Sequence, residues 1–83
     1  MLDSWGLLRL RQGHLPKARA ALVLAARLAP HEAEILGHLA EVWVATGQVE
    51  RARSTLARAR AVAPDAALRQ RIDLALDALP PPR

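Results

Sequence analysis

The sequence predicts an all-α protein of five helices, arranged as two helical hairpins followed by a capping helix. Three observations predict this class. Alanine and leucine, the strongest helix formers, dominate the composition, while aromatic residues make up only 2% and β-branched residues are scarce. The sequence matches itself when it is shifted by 34 residues. Glycine and proline recur where the helical pattern breaks. The 83 residues are enough for one domain.

The 34-residue repeat is defined by identical residues at equivalent positions. Most of these residues are small or form turns, and the pairs are Gly13/Gly47, Ala18/Ala52, Arg19/Arg53, Leu22/Leu56, Ala25/Ala59, Ala29/Ala63 and Pro30/Pro64. Glycine adopts the left-handed backbone that closes a helix. Proline stops a helix, or occupies the first turn of the next one. Alanines seven positions apart allow two antiparallel helices to approach closely, so each repeat is predicted to be a helical hairpin.

The predicted helices span, in order, about 2–12, 16–28, 31–46, 49–62 and 65–79. Gly13 and Gly47 end the first and third helices, Pro16 starts the second, and Pro30 and Pro64 stop the second and fourth. We expect one domain over 1–79, consisting of repeat 1 (about 1–30), repeat 2 (about 31–64) and the capping helix (about 65–79), and a proline-rich tail over 80–83.

The capping helix carries a one-sided apolar stripe of Leu68, Ile72, Ala75, Leu76 and Leu79. Arg69, Arg71, Asp73 and Asp77 lie elsewhere on the helix. We expect the apolar side to cover the last hairpin and the polar side to face water, as in the terminal helix of a solenoid.

The sequence resembles the tetratricopeptide repeat. The resemblance depends on the 34-residue period, the small residues at Gly6/Ala40 and the repeated glycine, alanine and proline pairs, taken together. The resemblance covers residues 1–64 and implies an α-solenoid fragment that acts as a protein-binding scaffold. Two positions depart from the family pattern: Arg9 stands where a bulky aromatic is usual, and Ala40 stands where glycine is commonest.

Residues 3–6 and 34–43 also resemble the closing repeats of large bacterial tetratricopeptide proteins, many of them exported. This narrower likeness implies that the chain is the C-terminal part of a longer array. The chain as written begins without an export signal, which favours the cytoplasm, whereas an exported parent would place it in the periplasm.

The resemblance implies that the first helix of each repeat lines a concave face that binds a peptide or protein. The partner-binding positions would be Asp3, Leu7, Leu10, Arg11, Glu34, Gly37, His38, Glu41, Val44 and Ala45. This acidic and apolar surface suits an extended or helical peptide with basic and hydrophobic residues. Family members that clamp a terminal carboxylate use lysine and asparagine at positions where Asp3, Leu7 and His38 stand here, so that clamp is not expected.

An alternative function depends on the first hairpin, whose outer edge is expected to be apolar. Its candidate docking residues are Leu2, Leu8, Val23 and Leu24. Two repeats are fewer than the three or so that usually form a stable array, and a large exposed apolar patch is uncommon on an isolated domain. We expect this edge to dock upstream repeats, a partner or a second copy of the chain, which would make the chain the structural end of an array or a self-associating subunit.

The sequence offers little for catalysis or for cofactors. His31, Glu34, His38 and Glu41 form one stripe on the third helix, but a single helix rarely closes a metal coordination sphere, and the competing interpretation is a solvated polar face. No serine or threonine has a base at a defensible spacing, and there is no glycine-rich phosphate loop. We therefore expect no enzymatic activity, no cofactor and no metal.

The formal charge of +4 and the pI near 11.4 raise nucleic acid as a partner. Two features argue against it: the basic residues are spread along the chain, and no aromatic residues interleave with them to stack bases. Arg51, Arg53, Arg58 and Arg60 lie on the predicted convex side, where a solvated outer face is the simpler interpretation. No apolar run approaches the roughly 20 residues of a membrane-spanning helix.

Overall fold

The structure, a computed structural model, describes residues 2–81, with side chains from Ser4 onward. Five helices follow one another along the chain. They are α1 (Leu2–Arg11), α2 (Leu15–Leu28), α3 (Ala33–Ala45), α4 (Val49–Val62) and α5 (Ala66–Ala78). Helices α1 and α2 form one hairpin, α3 and α4 form a second, α3 packs on both helices of the first, and α5 packs on α4. The predicted all-α class is confirmed, and no β-strand occurs among the described residues.

The turn inside each hairpin has the same hydrogen-bonding pattern. Gly13 and Gly47 have φ angles of 78° and 77°, in the left-handed region that favours glycine. At the end of α1, the N–H of Gly13 donates to the carbonyl of Leu10 and that of His14 to the carbonyl of Arg9. Corresponding bonds follow Gly47. This pairing satisfies the last carbonyls of the helix and defines a Schellman motif, so the glycines fix where α1 and α3 end.

The helix starts are later than predicted in two places. Helix α3 begins at Ala33 rather than near residue 31, because Glu32 occupies its N-cap position with extended backbone. Helix α5 begins at Ala66 because Asp65 is its N-cap, whose carboxylate accepts a 2.8 Å hydrogen bond from the N–H of Leu68. Aspartate in this position satisfies one of the free N–H groups at the start of a helix.

The core consists of leucine and valine side chains set against rows of alanine. Leu22, Leu36 and Val42 are the largest fully buried side chains, and Ala18, Ala52 and Ala59 are equally inaccessible. Because alanine fills little space, neighbouring helices can lie close together, and each leucine occupies the gap between them. The alanine pairs that define the repeat therefore define the contacts within each hairpin.

Trp43 of α3 contacts side chains of α2 and α4. Its ring is buried, and two guanidinium groups lie over it. The Cζ of Arg19, on α2, is 5.3 Å from the ring centroid, and that of Arg51, on α4, is 5.2 Å away. Cations within about 6 Å of an indole face are attracted by its quadrupole. These contacts link α2 and α4 through the ring of Trp43.

Helix α5 is attached by one buried side chain and by polar contacts at its edge. Ile72 is its only buried residue, while Leu68, Leu76 and Leu79 are half-buried against the core. Asp73 accepts a 2.6 Å hydrogen bond from Nε of Arg60, and this bond raises the pKa of the Arg60 guanidinium above its ordinary value. Arg53 also donates to the carbonyl oxygen of Pro80. The apolar stripe therefore does cover the last hairpin, although Ala75 of that stripe is exposed.

Candidate functional site

A groove runs along α3 between the last turn of α1 and helix α5. It encloses about 850 Å³. One wall is the α3 face on which Glu34, Gly37, His38 and Glu41 follow one another at helical spacing, continued by Val44. Gly37 has no heavy atom within 4 Å of the position that a Cβ would occupy, so this wall is open in its middle.

The floor of the groove is apolar, and its two walls differ in charge. Ala33, Ala40, Leu56 and Ile72 are buried residues that line it. Glu34 and Glu41 carry negative charge along α3, whereas α5 contributes Arg71 to the opposite wall. This arrangement can hold an apolar side chain in the centre and distinguish the charges on its two flanks.

At one end of the groove α1 and α3 are joined by an ion pair. Nη2 of Arg11 lies 3.4 Å from Oε2 of Glu41. Both side chains are largely exposed, so solvent screens the pair and it contributes little to stability. Its consequence is local: the carboxylate of Glu41 is held towards α1, and that of Glu34 lies at the other end of the acidic wall.

Eight of the ten residues predicted to bind a partner line this groove. They are Leu10, Arg11, Glu34, Gly37, His38, Glu41, Val44 and Ala45. Leu7 does not line it; the residue is half-buried on α1, and only the last turn of that helix borders the groove. The side chain of Asp3 lies outside the described residues. Whether the eight residues bind a partner stays a prediction.

The sequence interpretation missed the contribution of α5. Leu68, Arg71, Ile72, Ala75 and Leu79 line the groove, but the helix was expected only to cover the last hairpin, with Arg71 on its polar side. Arg71 follows Leu68 by three positions and precedes Ala75 by four, so it lies on the same face as both. That spacing could have indicated the second wall.

The predicted docking edge is only partly exposed. Leu8 and Leu24 are exposed, as expected, and the side chain of Leu2 lies outside the described residues. Val23 is less accessible than expected, and its part in docking stays a prediction. This side chain is half-buried against the core, because it follows Arg19 by one turn on the side of α2 that faces Trp43.

The convex arginines are mostly engaged within the chain. Arg51 lies over Trp43, Arg53 is 3.6 Å from Glu50 and bonded to Pro80, and Arg60 is bonded to Asp73. Three of the four predicted surface arginines thus have partners, so the convex side is not a continuous free basic patch.

Comparison of the sequence with models of protein families shows which family the chain belongs to. The tetratricopeptide repeat model matches residues 9–72, which covers most of both hairpins and half of α5. The chain belongs to the tetratricopeptide repeat family. Tetratricopeptide repeats are non-catalytic scaffolds that generally mediate protein–protein interactions. No curated protein and no solved structure matches the chain.

Two further properties bear on what this tetratricopeptide domain can bind. Within the part of the chain that the structure describes, no three His, Cys, Asp or Glu side chains come together in a way that could hold a metal ion. No helix among residues 2–81 is both long and apolar enough to cross a membrane.

Proposed function

We propose that this tetratricopeptide domain is an adaptor that binds a segment of a partner protein in the groove between α1, α3 and α5. The observation that carries the proposal is the convergence of eight family-implied positions on one groove of about 850 Å³. Sites of roughly 300–1,000 Å³ accommodate ligands that bury most of their surface, so the groove matches the size of a few consecutive side chains of a peptide.

The chemistry of the groove suggests what the segment carries. The buried floor, with Leu56 and Ile72, suits an apolar side chain. Glu34 is exposed on the α3 wall, where a lysine or arginine of the ligand would face a carboxylate. Arg71 on the opposite wall disfavours a second cation there. The ligand class is therefore an apolar segment with basic residues along one flank.

The scaffold contributes rigidity to this binding. Helix α3, which forms most of the groove, is fixed by Trp43 and its two arginines on one side and by Val42 and Leu36 in the core. A preformed surface loses little conformational entropy when a ligand binds. The free energy of contact with the ligand is then available for affinity.

The test compares two helix-forming peptides of equal length, one with leucine and lysine and the other with leucine and glutamate. Binding is measured by calorimetry to the wild type and to the Glu34→Arg/Glu41→Arg variant. The matched control is Glu50→Arg/Asp77→Arg, which changes the net charge by the same amount at exposed positions outside the groove.

We expect the lysine peptide to bind the wild type and the control variant with affinities within about twofold of each other. The groove variant should bind it at least about tenfold more weakly. An equal loss of affinity in the groove variant and the control variant would mean that net charge alone causes the effect. A preference of the groove for the glutamate peptide would overturn the proposal.

A further inference from the structure

Most of the large hydrophobic side chains that are exposed among the described residues lie on the first hairpin. Four of the six large hydrophobic side chains that are exposed lie on α1 and α2, namely Trp5, Leu8, Leu24 and Leu28. We refer to these four residues as the α1–α2 edge. None of them lines the groove.

The repeat itself indicates what kind of neighbour such an edge accepts. Trp5 and Leu8 are equivalent, 34 positions on, to Leu39 and Val42 of α3. Trp5 is 40% and Leu8 is 51% exposed, whereas Leu39 is 6% and Val42 is 0% exposed. Helices α1 and α3 each pack on the second helix of their own hairpin, but only α3 also packs on a preceding pair of helices. The exposed side of α1 that carries Trp5 and Leu8 therefore corresponds to a side of α3 that other helices cover.

The charge of the first hairpin is predominantly basic. Residues 1–31 contain one acidic residue, Asp3, and five basic residues, which are Arg9, Arg11, Lys17, Arg19 and Arg27. Residues 32–83 contain seven basic and seven acidic residues, so the formal charge of +4 belongs to the first hairpin. Arg9 lies over the ring of Trp5, with its Cζ 4.9 Å from the centroid. No carboxylate of the described residues pairs with Arg9, Lys17 or Arg27.

The same hairpin already packs against an acidic helix on its other side. Helix α3 carries Glu34 and Glu41 and no lysine or arginine. Its apolar residues face the first hairpin, and Glu41 pairs with Arg11 across the contact. The chain thus contains one example of the surface that complements this hairpin: an amphipathic helix with carboxylates beside the apolar stripe.

We propose that the α1–α2 edge binds an acidic amphipathic helix of a partner protein. Its apolar stripe would cover Trp5, Leu8 and Leu24, and its carboxylates would lie near Lys17 and Arg27. Lys17 precedes Leu24 by two turns on the same side of α2, so a helix lying along this side would meet both. A second copy of the chain fits less well, because two identical edges would bring the same cations together. This inference does not rest on the function proposed for the groove.

The experiment measures binding of two fluorescently labelled helical peptides, one with leucine and glutamate and one with leucine and lysine. The edge variant is Leu8→Glu/Leu24→Glu. Its matched control is Ala57→Glu/Leu74→Glu, which places two glutamates at exposed apolar positions outside both the α1–α2 edge and the groove. A second variant, Lys17→Gln/Arg27→Gln, removes two cations and leaves the apolar residues. Circular dichroism and melting temperature check that each variant is folded.

The expected result is binding of the glutamate peptide to wild type and control, with at least about a tenfold loss in the edge variant. The Lys17→Gln/Arg27→Gln variant should bind more weakly at low salt and lose most of the salt dependence. Three outcomes would overturn the proposal. The first is binding of the lysine peptide that the Leu8→Glu/Leu24→Glu substitutions weaken as much as they weaken binding of the glutamate peptide. The second is concentration-dependent dimerisation that the Leu8/Leu24 substitutions abolish, which would assign the edge to a second copy. The third is binding only to vesicles of anionic lipid, which would assign the edge to a membrane surface.

Discussion

Gly6 of α1 lies so close to Leu22 of α2 that a β-carbon placed on Gly6 would stand 2.7 Å from Leu22 Cγ. The same added β-carbon would lie 3.2 Å from Cβ of Ala21. Leu22 is fully buried, so its side chain has no free space into which it could move. In the second hairpin the equivalent positions are Ala40 and Leu56, so only the first hairpin requires a glycine for this contact.

The Gly6→Ala substitution is therefore expected to destabilise the protein. Overpacking a core contact costs about 1–3 kcal/mol, and alanine returns at most about 1 kcal/mol through its higher helix propensity. The control is Gly37→Ala, also within a helix but with nothing near the added carbon, which should stabilise by up to about 1 kcal/mol. Urea unfolding of both variants measures the difference, and a Gly6→Ala protein as stable as Gly37→Ala would contradict the close approach.

The turn glycines allow a second prediction, which concerns backbone strain alone. Gly13 and Gly47 have positive φ, and no atom lies within 4 Å of an added Cβ. Substitution by alanine should therefore cost about 1–2 kcal/mol through the left-handed backbone. Asparagine tolerates this conformation better, so Gly47→Asn should be the milder change. Thermal unfolding of Gly47→Ala and Gly47→Asn tests the order, and equal stability of the two variants would exclude strain as the cause.

The two tryptophans should respond very differently to substitution. Trp43 is buried between α2, α3 and α4, and replacing it with alanine should cost about 3–5 kcal/mol. Trp5 is 40% exposed, and its replacement by alanine should have a smaller effect, about 1 kcal/mol. Chemical denaturation followed by circular dichroism compares them. In the Trp5→Ala protein, the remaining fluorescence should be poorly quenched by acrylamide, and efficient quenching would mean that Trp43 is accessible.

Helix α5 is expected to be the first element to open. Ile72 is its single buried side chain, and Ile72→Ala should remove about 2–5 kcal/mol from its attachment. Amide hydrogen exchange should then rise over residues 66–78 before it rises in α2 or α3. Uniform exchange throughout the chain would show instead that the five helices unfold as one unit.

The ion pair between Arg60 and Asp73 should stabilise the attachment of α5 by less than Ile72 does, and its contribution should depend on salt. Asp73→Asn is expected to increase exchange in α5 at low ionic strength, with little effect at high salt. The pKa of Arg60 is raised by the bond to Asp73. Stability from a raised pKa is present below the group's ordinary pKa and is lost only as the pH rises through the folded value, so this term should be constant across neutral and mildly alkaline pH. Loss of the Asp73→Asn effect on moving from neutral to mildly alkaline pH would contradict this assignment.

The parts of the fold that could be predicted depend on local chemistry. Gly13 and Gly47 set the ends of α1 and α3 through hydrogen bonds within six residues, and such bonds leave a clear trace in the sequence. The 34-residue period then predicts that the helices form two hairpins. The predicted start of α3 is two residues early, because His31 belongs to the turn that follows Pro30 and Glu32 is the N-cap.

The parts that could not be predicted depend on how the hairpins pack against each other. Val23 is one of many apolar residues on α2, and nothing local shows that its side of the helix faces Trp43. Similarly, the groove needs α5 to lie opposite α3. The apolar stripe of α5 indicated burial, but the angle at which α5 crosses the second hairpin determines which of its residues remain open to a ligand.

Because α5 forms one wall of the groove, binding of a segment there would be thermodynamically linked to the attachment of α5. A segment bound between Glu34 and Arg71 would contact α5 only when α5 is packed on the second hairpin. Binding would therefore depend on the free energy that holds this helix in place. The apparent affinity of the groove is then the intrinsic affinity scaled by the fraction of molecules in which α5 is attached. A weaker anchor at Ile72 would lower affinity without altering any residue that the ligand meets on α3.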